Sequence, residues 1–476
     1  MHYHIIGIAG AGMSAIANIL LDQGHSISGS DMQHNAYVDA LSIRGATIFI
    51  GHAAAQGADA DAVLTTSAAK PDHPEIQAAH QRGIPVLKRT DMWREWSQQR
   101  HIVAVAGTHG KTTTTALMSH ILMHAQRDPG FLVGAHIPSL GTNARWGAPD
   151  APLIIEADEY DRTFLSLMPV IAIITNIELD HVDIYPTSAA YDEAFVAFAN
   201  TVQIPRHLIV CGDDAGVQRA LGATEATYYG IDERIAGNPV DCRRQLLDWS
   251  ASGVQSSEQG THFDLWHYNQ RTLSTRRLGP RTIPLHGDHN VRNVLAAIAA
   301  TSLLGVDQQT IAEALTTYRG TERRFELKGE AGGITVIDDY AHHPTEVLAT
   351  LQATRRGYGK RRIVAYLQPH TFSRTQALLD AWADVFNDAN VVRIGDIYAA
   401  REQNVSGIDS TQLVAHIRHS DVAVAGDIQE ATTILEDLLQ PGDVLLTLGA
   451  GDGYIIGETL LHRIGAKHKL PATDSS

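Results

Sequence analysis

The run Gly107-Thr108-His109-Gly110-Lys111-Thr112-Thr113 has the residue types of a phosphate-binding loop, and it sits where such a loop must, between an apolar stretch at 101–106 and a helical pattern at 114–123. Glycines let backbone N–H groups close on phosphate oxygens, and the helix N-terminus adds positive potential. Lys111 can reach the β- and γ-phosphates of ATP, and Thr112 can offer its hydroxyl to Mg2+. An ordinary glycine turn is the competing reading; the strand, the Gly-Lys-Thr triplet and the helix together argue against it. The loop is shorter than the eight-residue Walker pattern and does not choose between hydrolysis, kinase activity and ligation.

Carboxylates follow two further apolar runs. Glu156-Ala157-Asp158-Glu159-Tyr160-Asp161 comes directly after 153–155, and in a parallel sheet its first carboxylate emerges beside the phosphate loop, which makes Glu156 a Mg2+ ligand. Asp180-His181 follows 171–174 in the same fashion, although a hard cation prefers oxygen to the imidazole of His181. Each cluster taken alone fits a solvated acidic loop equally well. In His289-Asn290-Val291-Arg292-Asn293 the two asparagines share a helix face; Asn290 suits a cap, and Asn293 offers donor and acceptor together to an adenine edge. Near the start, Gly7-Ile8-Ala9-Gly10-Ala11-Gly12 lies between strand and helix, with Asp31 nineteen residues further on. Its glycines fall at first, fourth and sixth positions rather than first, third and sixth. It therefore reads as a diphosphate cradle of Gly10, Ala11 and Gly12, ahead of NAD binding or a purely structural turn.

These residues need sheets to position them. The 476 residues suffice for two to four domains, and 44% hydrophobic with 19% charged residues excludes disordered, collagenous and coiled-coil classes. Strand and helix patterns alternate from residue 3, a polar segment at 94–100 marks a first boundary, and 225–285 reads as β-rich. Beyond a junction at 318–325, five apolar runs (334–337, 363–367, 391–394, 422–425 and 444–448) alternate with helices. The expected fold class is α/β with mainly parallel sheets, and the polar tail from 467 should fray. The formal charge of -16 argues against binding nucleic acid or an anionic membrane. No apolar run approaches the 18 to 20 or so residues of a membrane span, and no signal peptide is apparent. The two cysteines, Cys211 and Cys242, lack metal spacing; a reducing cytoplasm is the expected location.

With these motifs in this order and Arg323-Arg324-Phe325 after them, nearly the whole chain resembles the Mur ligase family of peptidoglycan synthesis. Asp338-Asp339-Tyr340-Ala341-His342-His343-Pro344-Thr345-Glu346 and Gln368-Pro369-His370-Thr371-Phe372-Ser373-Arg374-Thr375 resemble its alanine-adding branch. The resemblance implies three domains: a Rossmann-like UDP-sugar domain at 1–98, a central P-loop ATPase-like domain at 99–320, and a Rossmann-like domain at 321–476 that brings the amino acid. It also implies ATP-dependent joining of L-alanine to the lactyl carboxylate of UDP-N-acetylmuramate through an acyl phosphate, by a monomer or dimer. Carried over motif by motif, Gly107 to Thr113, Asn293, Arg324 and Asp339 would serve ATP, and Thr112, Glu156 and His181 the metal. Gly10, Ala11, Gly12 and Asp31 would meet the UDP moiety, with His343 and Arg374 near the amino acid and acyl phosphate. Lys111, His181, Arg324, His343 and Arg374 would form the catalytic set.

The chain departs from the family pattern in places. Several members carry a lysine on the helix after the Asp-His motif, whose carbamate supports a second metal, but 187–200 contains no lysine. Tyr160 stands where many alanine-adding members have serine, and Arg401 replaces a small residue. Tyr160 is shared with the related ligase that attaches a whole tripeptide, while the run Gln368 to Thr375 favours alanine. A nucleotide-dependent binding protein without catalysis, and an NAD oxidoreductase built on Gly7 to Gly12, are the readings from other classes.

Overall fold

The computed structural model describes residues 1–182, 184–233, 247–270, 272–400 and 402–469; Cys242, Arg401 and the tail 470–476 lie outside them. The chain forms two compact units, one of Met1–Ser252, Asp264–Arg281 and Arg292–Arg319, the other of Gly253–Phe263, Thr282–Val291 and Gly320–Ser476.

In the first unit, β1 (His2–Ile6), β2 (Ser26–Asp31), β3 (Thr47–Ile50), β4 (Ala62–Thr65) and β5 (Val86–Lys88) pair in parallel in the order β3-β2-β1-β4-β5. β1 stops at Ile6 because Gly7 takes φ +77° and turns the chain into the glycine loop, and the helix Ala11–Asp22 follows. The polar segment at 94–100 belongs mostly to the helix Arg89–Gln99. Only one face of that helix is apolar, which disguised it, yet this face buries Trp93 and Trp96. Trp96 lies 5.4 Å from Trp93 and 5.7 Å from Trp146 between ring centres, and the Arg100 guanidinium stacks 4.6 Å over Trp146.

The second sheet has ten strands: β6 (Ile102–Ala106), β7 (Gly130–Ile137), β8 (Thr142–Arg145), β9 (Leu153–Glu156), β10 (Ile171–Ile174), β11 (Leu208–Cys211), β12 (Thr227–Ile231), β13 (Trp249–Ser257), β14 (Gly260–Asn269) and β15 (Ser274–Ile283). Their order is β15-β14-β13-β12-β11-β10-β6-β9-β7-β8. β6, β9, β10 and β11 run parallel as continuous apolar runs, as expected for strands covered on both faces. The pair β7 and β8 is antiparallel and was not visible as a pattern, since its outer half is polar and half exposed. The three long strands β13 to β15 match the β-rich expectation for the described part of 225–285.

In the second unit, β16 (Glu326–Ala331), β17 (Ile334–Asp339), β18 (Ile363–Leu367), β19 (Val391–Gly395), β20 (Val422–Gly426) and β21 (Val444–Leu448) form a sheet in the order β16-β17-β21-β18-β19-β20. All pairs are parallel except the edge strand β16 on β17. The five apolar runs are the five parallel strands. β16 is the addition: Glu-Leu-Lys-Gly-Glu-Ala carries no apolar run, and its Leu327 is exposed. Two apolar layers cover the faces, one around Ile337, Leu351 and Phe386, the other around Val336, Leu435 and Leu460. The last helix, Tyr454–Lys469, extends two residues past the expected start of the tail.

Candidate active site

Three adjacent parallel strands deliver the central residues to one edge. Val105 of β6 is level with Glu156 of β9, and Ala106 with Ile174 of β10, so the loops after all three strands leave the sheet together. The phosphate loop is shaped by the end of β10. His109 N donates to Asn176 Oδ1 at 2.8 Å, and His109 O accepts from Thr175 Oγ1 and Asn176 Nδ2 at 2.5 and 2.9 Å. Gly107 and Gly110 have φ of +132° and +81°, and a Cβ at either would lie 2.0 Å from Thr175 Oγ1 or 2.4 Å from Asn293 Oδ1. Both glycines are therefore demanded by the fold. Asn293, expected at an adenine edge, lies against the backbone of Gly110 in the phosphate loop. Thr108 donates its hydroxyl to Glu178 O at 2.8 Å, and Thr113 is buried in the first turn of the helix Lys111–His124.

Lys111 Nζ donates to Gly107 O (2.6 Å), Thr108 O (3.1 Å) and both oxygens of Glu159 (2.8 and 3.1 Å). Glu159 is wholly buried. It accepts the Tyr191 hydroxyl at 3.2 Å and lies 3.6 Å from His181 Nε2, while its carbonyl accepts the Tyr185 hydroxyl at 2.7 Å. Burial opposes charge on Lys111, but Glu159, Asp158 and Glu156 together hold its pKa above the ordinary value. Burial likewise opposes charge on Glu159; Lys111 and His181 reverse the balance and hold it below the usual range. His181 is raised, because its bond to Glu159 and the nearby Asp180 outweigh its desolvation. Beside this pair, Thr112 Oγ1 donates to Glu156 Oε1 at 2.7 Å, and Glu156 Oε2 accepts Gly134 N at 2.6 Å.

The donors suit a divalent cation. One atom each of Asp158, Glu159 and His181 lie within 4.8 Å of one another, next to the Thr112 hydroxyl and Glu156, an oxygen-rich set of the kind Mg2+ takes. Sequence reasoning reached Thr112, Glu156 and His181 but passed over Glu159, three residues after Glu156 in the same acidic run; only burial distinguishes them. Tyr160, the unusual residue of that run, sets its ring edge-on to His181 at 5.1 Å. The helix Ser188–Ala199 contains no lysine.

At the first sheet's loop, Gly10 caps the helix Ala11–Asp22 without any side-chain bond, and that helix has no acid in its first turn. Asp31 Oδ2 accepts Ala9 N at 3.0 Å and so holds the loop rather than the helix end. A Cβ on Gly12 would meet nothing nearer than Arg89 Nη1 at 3.6 Å, so the fold itself does not require glycine there. The bare helix end fits an anion.

In the second unit, β17 ends on Asp338 and Asp339. Asp338 pairs with Arg323 Nε at 3.1 Å, and Arg323 also donates to Gly449 O and Gly451 O and stacks between Tyr340 and Tyr454, which is a structural role. Asp339 accepts Thr350 Oγ1 at 2.8 Å and Ala341 N at 3.1 Å, and burial pushes its pKa up to about 6 against the pull of Arg324. Arg324 lies 5.1 Å over the Tyr340 ring and 3.9 Å from Glu346. His343 is the N-cap of the helix Pro344–Tyr358: its Nδ1 accepts Thr345 N at 3.3 Å, and Glu346 returns the bond to His343 N at 3.2 Å. His342 Nδ1 lies 2.9 Å from Tyr340 O, bonded within the loop. Arg374, on the short helix Phe372–Ala377, donates to His370 Nδ1 at 3.0 Å. Asn290, expected as a cap, instead lies within the first turn of the helix Asp288–Leu303 and donates its side-chain N–H back to His286 O at 2.9 Å.

Known proteins align with this arrangement along its length. The patterns described as "Mur ligase family, catalytic domain", "Mur ligase middle domain" and "Mur ligase, glutamate ligase domain" match residues 2–101, 105–301 and 323–451 in turn. The UDP-N-acetylmuramate--L-alanine ligase of Roseiflexus sp. (strain RS-1) is 59% identical over 97% of this chain and 98% of its own. That of Chloroflexus aggregans is 53% identical over 97% and 98%. Among solved structures, the UDP-N-acetylmuramate-alanine ligase of Thermotoga maritima superposes with a TM-score of 0.80 at 25% identity, covering 98% of this chain and all (100%) of its own. A murein peptide ligase of Psychrobacter arcticus reaches 0.73, also at 25% identity, covering 98% and 99%. With three consecutive domain patterns, relatives alike from end to end and an α/β architecture in common, the chain belongs to the Mur ligase family.

Proposed function

We propose that this enzyme joins L-alanine to the lactyl carboxylate of UDP-N-acetylmuramate with conversion of ATP to ADP and phosphate. The observation that carries the reading is likeness across nearly the whole chain to ligases of that name. The division of labour follows the sequence: 1–98 for the UDP-sugar, 99–320 for ATP, 321–476 for the amino acid. Residues Gly10 to Gly12 and Asp31 form the UDP cradle. Gly107 to Thr113 hold the triphosphate, assisted by Asn293, Arg324 and Asp339.

In the first step a lactyl carboxylate oxygen attacks the γ-phosphorus, ADP leaves, and an acyl phosphate forms. In the second the alanine amine attacks the acyl carbon, and the tetrahedral intermediate expels phosphate. Lys111 exchanges Glu159 for phosphate oxygens, so its positive charge follows the charge that develops in transfer. Thr112, Glu156 and His181 would hold Mg2+, with Glu159 as the adjacent carboxylate where no lysine carbamate is available, and the ion supplies positive charge to the phosphate oxygens. Arg374 and His343 serve the acyl phosphate and the amino acid, His343 by fixing the start of its helix. The enzyme works in the cytoplasm.

The test is purified protein with ATP, Mg2+, UDP-N-acetylmuramate and either a panel of amino acids or the tripeptide. Mass analysis should find the alanyl adduct, with ADP and phosphate released only when all substrates are present. Preference for the tripeptide would replace this reading with the recycling ligase, for which Tyr160 against His181 is the supporting feature; failure to form any adduct would leave a binding protein.

A further inference from the structure

A second cluster of ligating side chains lies at the carboxyl edge of the first sheet, beside the residues that the ligase reading gives to the UDP moiety but not among them. Glu75, in the first turn of the helix Pro74–Arg82, is wholly buried. Its Oε2 accepts the Ser30 hydroxyl at 2.7 Å and lies 3.2 Å from His4 Nε2; its Oε1 accepts Ala53 N at 3.2 Å and lies 3.4 Å from His52 Nδ1. Among the described residues no lysine or arginine pairs with this carboxylate; its ionisable partners within 4 Å are the histidines His4 and His52. A buried anion calls for a positive partner.

His73 completes the cluster. Its ring meets that of His52 edge-on at 4.4 Å between centres, and its Nε2 is buried with no hydrogen-bond partner among the described residues. One ligating atom from each of His52, His73 and Glu75 lies within 4.8 Å of the others. Two imidazoles with one carboxylate are the donor set of zinc-class ions rather than of Mg2+. Bonds of about 2.0 to 2.1 Å in tetrahedral geometry put neighbouring ligand atoms roughly 3.4 Å apart, and His52 Nδ1 and Glu75 Oε1 already stand at 3.4 Å.

We propose that His52, His73 and Glu75 bind one zinc-class divalent cation, with water in the fourth position. Binding through His73 Nε2 moves that ring's proton to Nδ1. At His73 the loss is small, because Nδ1 now accepts Glu75 N only at 3.4 Å, while His52 Nδ1 gives up its 2.9 Å hydrogen bond with Ser30 Oγ. The ion neutralises Glu75, which also holds the Ser30 side chain, and Ser30 O in turn accepts Gly7 N and Ile8 N at 2.8 and 3.2 Å. The cation thus braces the strand end from which the glycine loop departs.

The experiment uses tag-free full-length protein, stripped with a chelator and titrated with Co2+ and then Zn2+, without nucleotide. Wild type should take up one Co2+ with tetrahedral d–d absorption, lose that band to Zn2+, and melt at a higher temperature with Zn2+ present. His73→Asn keeps an N-cap acceptor, so it should fold and melt like the stripped wild type, yet bind Co2+ at least about tenfold more weakly and gain no melting temperature from Zn2+. His181→Ala should bind as wild type does. Failure of Co2+ to bind stoichiometrically, unchanged binding in His73→Asn, or loss of binding in His181→Ala would each overturn the site, the last by placing the ion in the central cluster.

Discussion

Glu159 and Asp339 are both buried carboxylates at the carboxyl ends of parallel sheets, yet they sit on opposite sides of their ordinary pKa. Desolvation raises both. Glu159 has Lys111 at 2.8 Å and His181 at 3.6 Å, and two nearby positive groups more than offset its burial. Asp339 has hydroxyl and backbone donors, while Arg324 lies over Tyr340 and near Glu346. Burial therefore does not decide the charge of a buried acid; the distance to its counter-charge does. The central site holds its charges paired before any substrate arrives, whereas among the described residues no lysine or arginine donates a hydrogen bond to the last β17 carboxylate.

The most severe way to break this contrast is to remove the counter-charge. Lys111→Ala should lower kcat by about a thousandfold or more, through loss of the phosphate clamp, while calorimetry finds UDP-N-acetylmuramate still bound. It should also cost roughly 3 to 5 kcal/mol of stability, since Glu159 is left buried and unpaired. Lys111→Ala with Glu159→Gln should recover most of that stability in urea melts and none of the rate. Retention of more than about a tenth of wild-type kcat would end the assignment.

Asp339 predicts the reverse sign. Its folded pKa of about 6 exceeds the usual 3.8, so between those values the native state binds more protons than the unfolded chain, and stability falls as pH rises through that window. The full loss is about 3 kcal/mol above pH 6 or so. Asp339→Asn should match wild type in stability near pH 4, exceed it by up to about 3 kcal/mol at pH 7.5, and turn over ATP more slowly. Urea melts at the two pH values check this, and a pH-independent difference would count against it.

At the first sheet's loop the helix Ala11–Asp22 begins with no acid in its first turn, and there is space beside Gly12. Gly12→Val should weaken UDP-N-acetylmuramate binding at least about tenfold in calorimetry while ATP binding and melting temperature stay near wild type. Equal losses for both ligands would signal misfolding. The mildest change is His181→Ala, which keeps the Lys111–Glu159 pair. It should raise the Mg2+ needed for half-maximal rate and slow acyl-phosphate formation with little effect on ATP affinity. Activity should not respond to bicarbonate, since no lysine follows on the helix Ser188–Ala199. An unchanged Mg2+ dependence removes His181 from the metal site, and bicarbonate activation points to a lysine elsewhere.

What the sequence disclosed tracks what burial imposes on it. β17, β18, β19 and β21 were legible because strands covered on both faces are uninterrupted apolar runs, and β20, though an edge strand with Val424 exposed, keeps the apolar letters Val-Ala-Val-Ala. β16 was not, because an edge strand is free to be Glu-Leu-Lys-Gly-Glu-Ala. Thr112 and Glu156 were predictable from strand ends alone, and they meet at 2.7 Å. Glu159 was hidden, since the letters of an acidic run do not say which carboxylate turns inward. For Asn293 the helix face was legible, while its approach to Gly110 of the phosphate loop comes only from the three-dimensional structure. His343 carried the Pro-Thr-Glu that follows a capping residue, and a cap is the position it takes.

Half of the chain's six tryptophans, Trp93, Trp96 and Trp146, stand in ring contact around Arg100 in the first unit. Trp93 and Trp96 come from the helix that ends the first sheet's segment, and Trp146 from just after β8 of the second sheet. Excitation energy will pass among indoles this close, depolarising their emission. Steady-state anisotropy is therefore an intrinsic optical gauge of whether those two segments remain joined, readable without a label.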